Sequence, residues 1–252
     1  MKQVSLKEIT RDGKAFFLAY DQGMEHGPVE FTDENVDPLR IIEIAKTGKY
    51  TGVIFQKGIA EKYNSEIKKS KVPLIVKLNG KTNLLKGEPY STQICSVKEA
   101  IKLGAKAVGY TIYIGSDKEA VMLKEFDKIE EEAHEKGLPV IAWIYPGGKA
   151  IEGKPENEIM AYAARLGLEI GADIIKLKFR GTSEDLKWAV KTAGRTKIIV
   201  SGGEKTEEKK FVEMIKEVIR CGADGVAVGR NIWKSNEPEE LSSKVRRIVL
   251  AK

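Results

Sequence analysis

The chain has 252 residues with 43 basic and 37 acidic side chains, a net charge of +6, and at roughly 100–200 residues per domain it allows one large domain or two small ones. With 42% hydrophobic residues and no long polar tract, disorder is excluded as the general state, and no run approaches the roughly 18 consecutive apolar residues of a membrane span. Charged residues are 32% of the total, which suits a surface laced with ion pairs.

Met1 to Glu8 has no apolar signal core, so a soluble cytoplasmic protein is expected. Cys95 and Cys221 are single and far apart, and the only histidines are His26 and His134. These argue against a disulfide scaffold and against a zinc site built from histidines. Short basic runs such as 68–71 read as solvated faces, and no nucleic-acid or membrane partner is expected.

Short β-branched runs alternate with helical patterns from end to end, the sequence form of repeated βαβ units. In chain order the expected strands are 15–20, 51–56, 72–79, 107–114, 139–146, 172–179, 197–203 and 225–233. The expected helices are 38–48, 58–67, 96–103, 117–136, 156–170, 183–193, 206–220 and 237–251. The longest sets Ala120, Leu123, Phe126, Ile129 and Ala133 at spacings of three and four, an apolar stripe on a charged surface. Glycines at 104, 137, 171 and 222 stand where helices should stop. Strands apolar on both faces, each followed by a covering helix, imply a buried all-parallel sheet. Eight such units fit the α/β class as a (β/α)8 TIM barrel, one domain over 1–252. An open doubly wound sheet would carry Gly-x-Gly-x-x-Gly after its first strand, and this chain does not. The one long polar stretch, Asn79 to Gln93, should be a loop at the barrel mouth.

Barrels of this kind place their chemistry where strands end. The first strand runs into Asp21-Gln22-Gly23-Met24-Glu25-His26-Gly27-Pro28, which reads as a capping turn or, with His26 at a strand end, as part of a site. The fifth puts Trp143 and Tyr145 on one side of the sheet. They are either a buried aromatic pair or a source of a hydroxyl that gives and takes a proton. The sixth places Ile174, Lys176 and Lys178 on one face. An ammonium inside such a run needs a partner, an exit to solvent or a task. Burial and a neighbouring cation both lower a lysine pKa and free the amine to attack a carbonyl; spacing alone does not choose between Lys176 and Lys178. The seventh and eighth end in Ser201-Gly202-Gly203 and Gly229-Arg230, where barrels often hold phosphate on backbone N–H groups. The run Gly148 to Pro155 imitates a P-loop but has proline in place of Ser or Thr, and reads as a surface loop.

Together AYDQGMEHGP (19–28), VIFQKGIAEKY (53–63), VKLNGKTNL (76–84), VGYTIYIGS (108–116), WIYPGGK (143–149), ADIIKLKF (172–179), VSGG (200–203) and GVAVGRNIW (225–233) resemble the archaeal type of class I fructose-1,6-bisphosphate aldolase, a Schiff-base barrel family. The similarity runs over nearly the whole chain. It implies reversible cleavage of fructose 1,6-bisphosphate to dihydroxyacetone phosphate and glyceraldehyde 3-phosphate, in glycolysis and gluconeogenesis, without metal or other cofactor. It makes Lys176 the iminium lysine, Tyr145 the general acid/base and Asp21 a polar partner near the lysine and the substrate hydroxyls. Ser201, Gly202, Gly203, Gly229 and Arg230 match a phosphate site, and Gln22, His26, Trp143 and Lys178 are further substrate-side positions. A homo-oligomer, a decamer of pentameric rings, is implied as well. Two departures bear on the second phosphate: Gln22 stands where the family usually has His, and Gly147 where it has Arg after Tyr-Pro. The rival readings are a transaldolase-like synthase making an aminodideoxyheptulosonate, and a non-catalytic sugar-phosphate sensor, which would have no use for Lys176.

Overall fold

The computed structural model describes residues 4–84 and 86–251. Strand β1 (Ala15–Ala19) leads through the short helix α1 (Gly23–His26) and a 3-10 turn (Pro28–Glu30) to α2 (Pro38–Thr47). Then come β2 (Gly52–Gln56), α3 (Lys57–Lys62), α4 (Asn64–Ser70) and β3 (Leu74–Lys77). The two-residue strands β4 (Asn79–Gly80) and β5 (Thr92–Gln93) precede α5 (Val97–Leu103), β6 (Ala105–Ile114) and α6 (Glu119–Glu135). Strand β7 (Val140–Pro146) is followed by a 3-10 turn (Lys149–Ile151) and α7 (Glu156–Glu169), and β8 (Ile174–Leu177) by α8 (Ser183–Thr192). Last are β9 (Lys197–Ser201), α9 (Glu208–Arg220), β10 (Gly225–Val228), α10 (Arg230–Trp233) and α11 (Pro238–Val249).

The sheet closes in the order β1-β10-β9-β8-β7-β6-β3-β2, with every neighbouring pair parallel. This is the expected (β/α)8 barrel. One residue in two on each strand points inward, and Phe17, Ile54, Ile75, Ala107, Ile141, Ile174, Ile199 and Ala227 form the apolar filling. The alternate set, including Phe16, Val53, Val76, Val108, Val200 and Val226, packs outward against the helices. The four glycines expected to stop helices, Gly104, Gly137, Gly171 and Gly222, all have left-handed φ, from +68° to +93°. Among the described residues no helix is long and apolar enough to cross a membrane.

Several expected boundaries are corrected. The eighth run stops as a strand at Val228, because Gly229 (φ −136°, ψ −99°) breaks the ladder and Arg230–Trp233 turn helical. The sixth strand stops at Leu177, so Lys178 lies beyond it, and the seventh stops at Ser201. The expected helix 58–67 is two helices, interrupted at Tyr63 (φ −109°, ψ 21°). In α6 the buried stripe is Met122, Phe126, Ile129 and Ala133; Ala120 is exposed and Leu123 half-buried, a slip confined to the first turn. The Asn79 to Gln93 loop is closed at its base by β4–β5. There the fully buried Asn79 donates to the Ser91 and Thr111 carbonyls and accepts from the Thr111 N–H. His134 lies away from the mouth, its ring held between Glu130 and Asp173, just before β8 begins.

Gly109 faces inward on β6, and a Cβ built there would lie 1.6 Å from the ring of Trp143. Gly109→Ala should destabilise by about 1–3 kcal/mol through overpacking, lowering Tm by roughly 2–4 °C per kcal/mol. An unchanged Tm in a thermal melt would show that the Trp143 ring has room to move.

Candidate active site

Two residues above the apolar filling, the same inward parity brings Lys77, Trp143, Lys176, Ser201 and Gly229 to the mouth. They line one cavity of about 350 Å³, which also takes in Asp21, Gln22, Glu25, His26, Lys81, Tyr113, Tyr145, Lys178, Gly202, Gly203 and Arg230. Every site residue expected from the sequence is therefore here, drawn from the ends of β1, β7, β8, β9 and β10.

Lys176 is 5% exposed, with Nζ 5.1 Å from the Trp143 ring centroid. Burial pulls its pKa down to about 8, with Lys77 and Lys178 acting in the same direction and Asp21 and Glu25 opposing. Lys178, past the end of β8, is exposed and lies over the Tyr145 ring. The enclosed amine is thus that of Lys176. Burial lifts the Tyr145 hydroxyl well above its ordinary range, and the charges of Asp21 and Glu25 add to the effect. It remains a phenol that can donate a proton.

Lys77 was not singled out by the strand-end reasoning. It is 2% exposed, and its Nζ lies 2.8 Å from Glu25 Oε1 and 3.5 Å from Asp21 Oδ2. Burial alone would lower its pKa, but Glu25 and Asp21 more than offset this and hold it above the usual lysine value. Asp21 is the converse case: burial would raise its pKa, and Lys176 and Lys77 hold it below the usual value. The sequence did carry a signal, since Lys77 ends the apolar run Leu74–Lys77 just as Lys176 sits in the run Ile174–Leu177.

At β9 and β10 the glycine-rich ends stand side by side. Asn231, 1% exposed, ties them together by donating to the carbonyls of Gly202 and Glu204, each at 2.8 Å, and accepting from the Thr206 N–H at 2.9 Å. Gly203 (φ +73°) turns the chain where nothing lies within 4 Å of a Cβ position. One expected donor needs correction: the Gly202 N–H is already given to the Ala227 carbonyl at 3.0 Å. Arg230 donates to Glu30 at 2.9 Å, and His26 Nδ1 lies 3.5 Å from the same carboxylate. Glu30, like Glu25, Tyr113 and Asn231, was not foreseen.

At the two departures, Gln22 Nε2 is buried with no hydrogen-bond partner. A Cβ at Gly147 would meet Tyr113 at 3.1 Å and Pro89 at 3.2 Å. Among the described residues, no three or more His, Cys, Asp or Glu side chains are grouped to hold a metal ion. The P-loop imitation is a surface loop with a 3-10 turn at Lys149–Ile151.

Comparison with known proteins bears on the fold and the family. The model of the DeoC/LacD family aldolases matches residues 15–235. A class 1 fructose-bisphosphate aldolase of Thermoproteus tenax is 45% identical over 97% of this chain and 92% of its own length. The Halobacterium salinarum protein of the same name is 42% identical over 96% and 92%. A solved structure of a Schiff base-forming fructose-1,6-bisphosphate aldolase superposes with a TM-score of 0.92 at 44% identity, covering 97% of both chains.

A lysine with a pKa near 8 gains reactivity as it sheds its proton. The rate at which borohydride traps a ketone adduct should therefore rise through that pH. A rate unchanged across this range would show that the reacting amine is not the buried one.

Proposed function

This chain belongs to the DeoC/LacD family of aldolases, and from that premise we infer that it is a class I fructose-bisphosphate aldolase. It cleaves fructose 1,6-bisphosphate reversibly to dihydroxyacetone phosphate and glyceraldehyde 3-phosphate. The observation that carries the reading is a buried, readily deprotonated Lys176 flanked by Tyr145 and, at the adjoining strand ends, by the Ser201–Gly203 and Gly229–Arg230 segments.

In this reading the Lys176 amine attacks the C2 carbonyl, and the carbinolamine loses water to give a protonated imine. Tyr145 passes the proton that leaves the C4 hydroxyl as the C3–C4 bond breaks. The bonding pair moves into the imine, which acts as electron sink, and glyceraldehyde 3-phosphate departs. The enamine left behind is protonated at C3. Water then hydrolyses the imine and releases dihydroxyacetone phosphate and the free lysine. Asp21 accepts hydrogen bonds from substrate hydroxyls, and Gly203, Gly229 and Arg230 hold the C1 phosphate beside Ser201 and Gly202. Gln22, His26, Trp143 and Lys178 complete the wall. No metal is needed, because the imine performs the polarisation. A homo-oligomer belongs to the same reading, supported by Tyr162 and Trp188, which are 65% and 58% exposed on α7 and α8.

Incubation with dihydroxyacetone phosphate and borohydride should label Lys176, as mapped by peptide mass spectrometry, and Lys176→Ala should abolish cleavage. A label on Lys178, or none, refutes the assignment. Tyr145→Phe should still form the imine while cleaving roughly 10²–10⁴-fold more slowly; parental cleavage would leave the tyrosine a packing residue only.

The second phosphate should be held less firmly than in relatives that carry arginine after Tyr-Pro. A charge-assisted hydrogen bond contributes roughly 1.5–3 kcal/mol, so discrimination between fructose 1,6-bisphosphate and fructose 1-phosphate should be roughly tenfold to a hundredfold weaker. Gly147→Arg should restore it in kcat/KM, with Tyr113 and Pro89 each giving way by a few tenths of an ångström to admit the Cβ. A parent that already prefers the bisphosphate by several orders of magnitude would overturn this expectation.

A further inference from the structure

Two lysines, Lys77 and Lys176, are buried in the wall of one cavity, and two carboxylates from the segment after β1, Asp21 and Glu25, line the same cavity. The carboxylates are not shared evenly. Lys77 Nζ has Glu25 Oε1 at 2.8 Å and Asp21 Oδ2 at 3.5 Å, whereas among the described residues no ion pair involves Lys176. A buried ammonium is tolerated when it is paired and disfavoured when it is not. The distribution of acids therefore decides which lysine stays an ammonium and which becomes an amine.

We propose that Lys77 is a positioning residue: its ammonium engages Asp21 and Glu25 and so keeps the Lys176 amine unpaired and free to attack the substrate carbonyl. This rests on the reading of Lys176 as the iminium lysine and adds to it a cause for that residue's reactivity. The charged groups facing Lys176 are Asp21, Glu25, Lys77 and Lys178. Those facing Lys77 are Glu25, Asp21, Lys176 and the Tyr113 hydroxyl, which donates towards Glu25 Oε2 at 3.5 Å. Tyr145 is acted on by Asp21, Glu25, Tyr113 and Arg230. Removing Lys77 has two consequences of one sign: a nearby cation is lost, and two carboxylates are released to pair with Lys176. Both favour the protonated lysine. Neutralising Glu25 acts in the opposite sense, because a carboxylate that favours the charged form of Lys176 is gone while Lys77 keeps Asp21.

The test follows the rate of the borohydride-trapped dihydroxyacetone phosphate adduct on Lys176 against pH, in the full chain. Lys77→Met should move the rising limb to higher pH by about one unit or more, so that trapping near neutral pH falls roughly tenfold per unit and recovers in alkali. Lys77→Arg, which keeps the charge, should return the limb towards the parental position, and Glu25→Gln should move it to lower pH. A merely structural lysine would lower Tm and leave the limbs where they were. The proposal is overturned if Lys77→Met slows trapping equally at every pH, or if Glu25→Gln leaves the limb in place or moves it upward. Should Lys77→Met fail to fold, the direction of the Glu25→Gln shift decides alone. Absence of any Lys176 adduct in the parent sinks the aldolase reading and this inference with it, whereas parental trapping with unmoved limbs sinks the inference alone.

Discussion

A closed parallel barrel admits one residue in two from each strand, and the whole site depends on that parity. Ile75, Ile141, Ile174, Ile199 and Ala227 belong to the inner filling. Two residues further on, the same strands deliver Lys77, Trp143, Lys176, Ser201 and Gly229 to the cavity. A slip of one residue in any strand would turn its functional side chain into the helix layer, where Val76, Ala142, Ile175 and Val200 now pack. The filling is also an electrostatic element. It closes the barrel beneath the lysines with hydrocarbon, so water reaches them only from the mouth, and the resulting desolvation lowers the pKa of Lys176.

Much of this was legible because it is written locally. The alternation of apolar runs and amphipathic stretches gives the eight units, and the glycines at 104, 137, 171 and 222 mark where four of the helices stop. A lysine inside an apolar run announces that something must be done with its charge. Spacing could not choose between Lys176 and Lys178, since both occupy one face; the end of β8 at Leu177 separates them, enclosing the first and releasing the second. Both flanking strands run further, β7 to Pro146 and β9 to Ser201, and the residue pattern around Lys178 does not mark where β8 itself stops. Arg230–Trp233 read as strand because the run before it is β-branched and apolar; a backbone break at Gly229 prevails over that propensity.

What stayed hidden is nonlocal. Lys77 and Glu25 are 52 positions apart, and Arg230 and Glu30 are 200 apart. Lys77 stands out in its apolar run, but its partner Glu25 is one acid among the polar residues of the turn at 21–28, and nothing in the sequence around Glu30 points to Arg230. The barrel closes β1 against β10, and this seam brings the first loop over the last one. Asn231 is comparable, an ordinary residue in sequence whose amide braces Gly202 and Glu204 from the neighbouring strand end.

The segment from Asn79 to Gln93 is fastened where it leaves and rejoins the body of the protein, by the β4–β5 pairing and by the Asn79 side chain. Its middle contributes Lys81, Asn83 and Pro89 to the cavity wall. Anchorage and lining of the cavity are thus divided between different residues of one loop. Such a segment is a cassette: its interior can be lengthened, shortened or exchanged during divergence while the barrel's hydrogen-bond ladder and the lysine pair remain untouched. Acceptor preference can then drift among descendants of a single ancestor without each change having to be reconciled with folding.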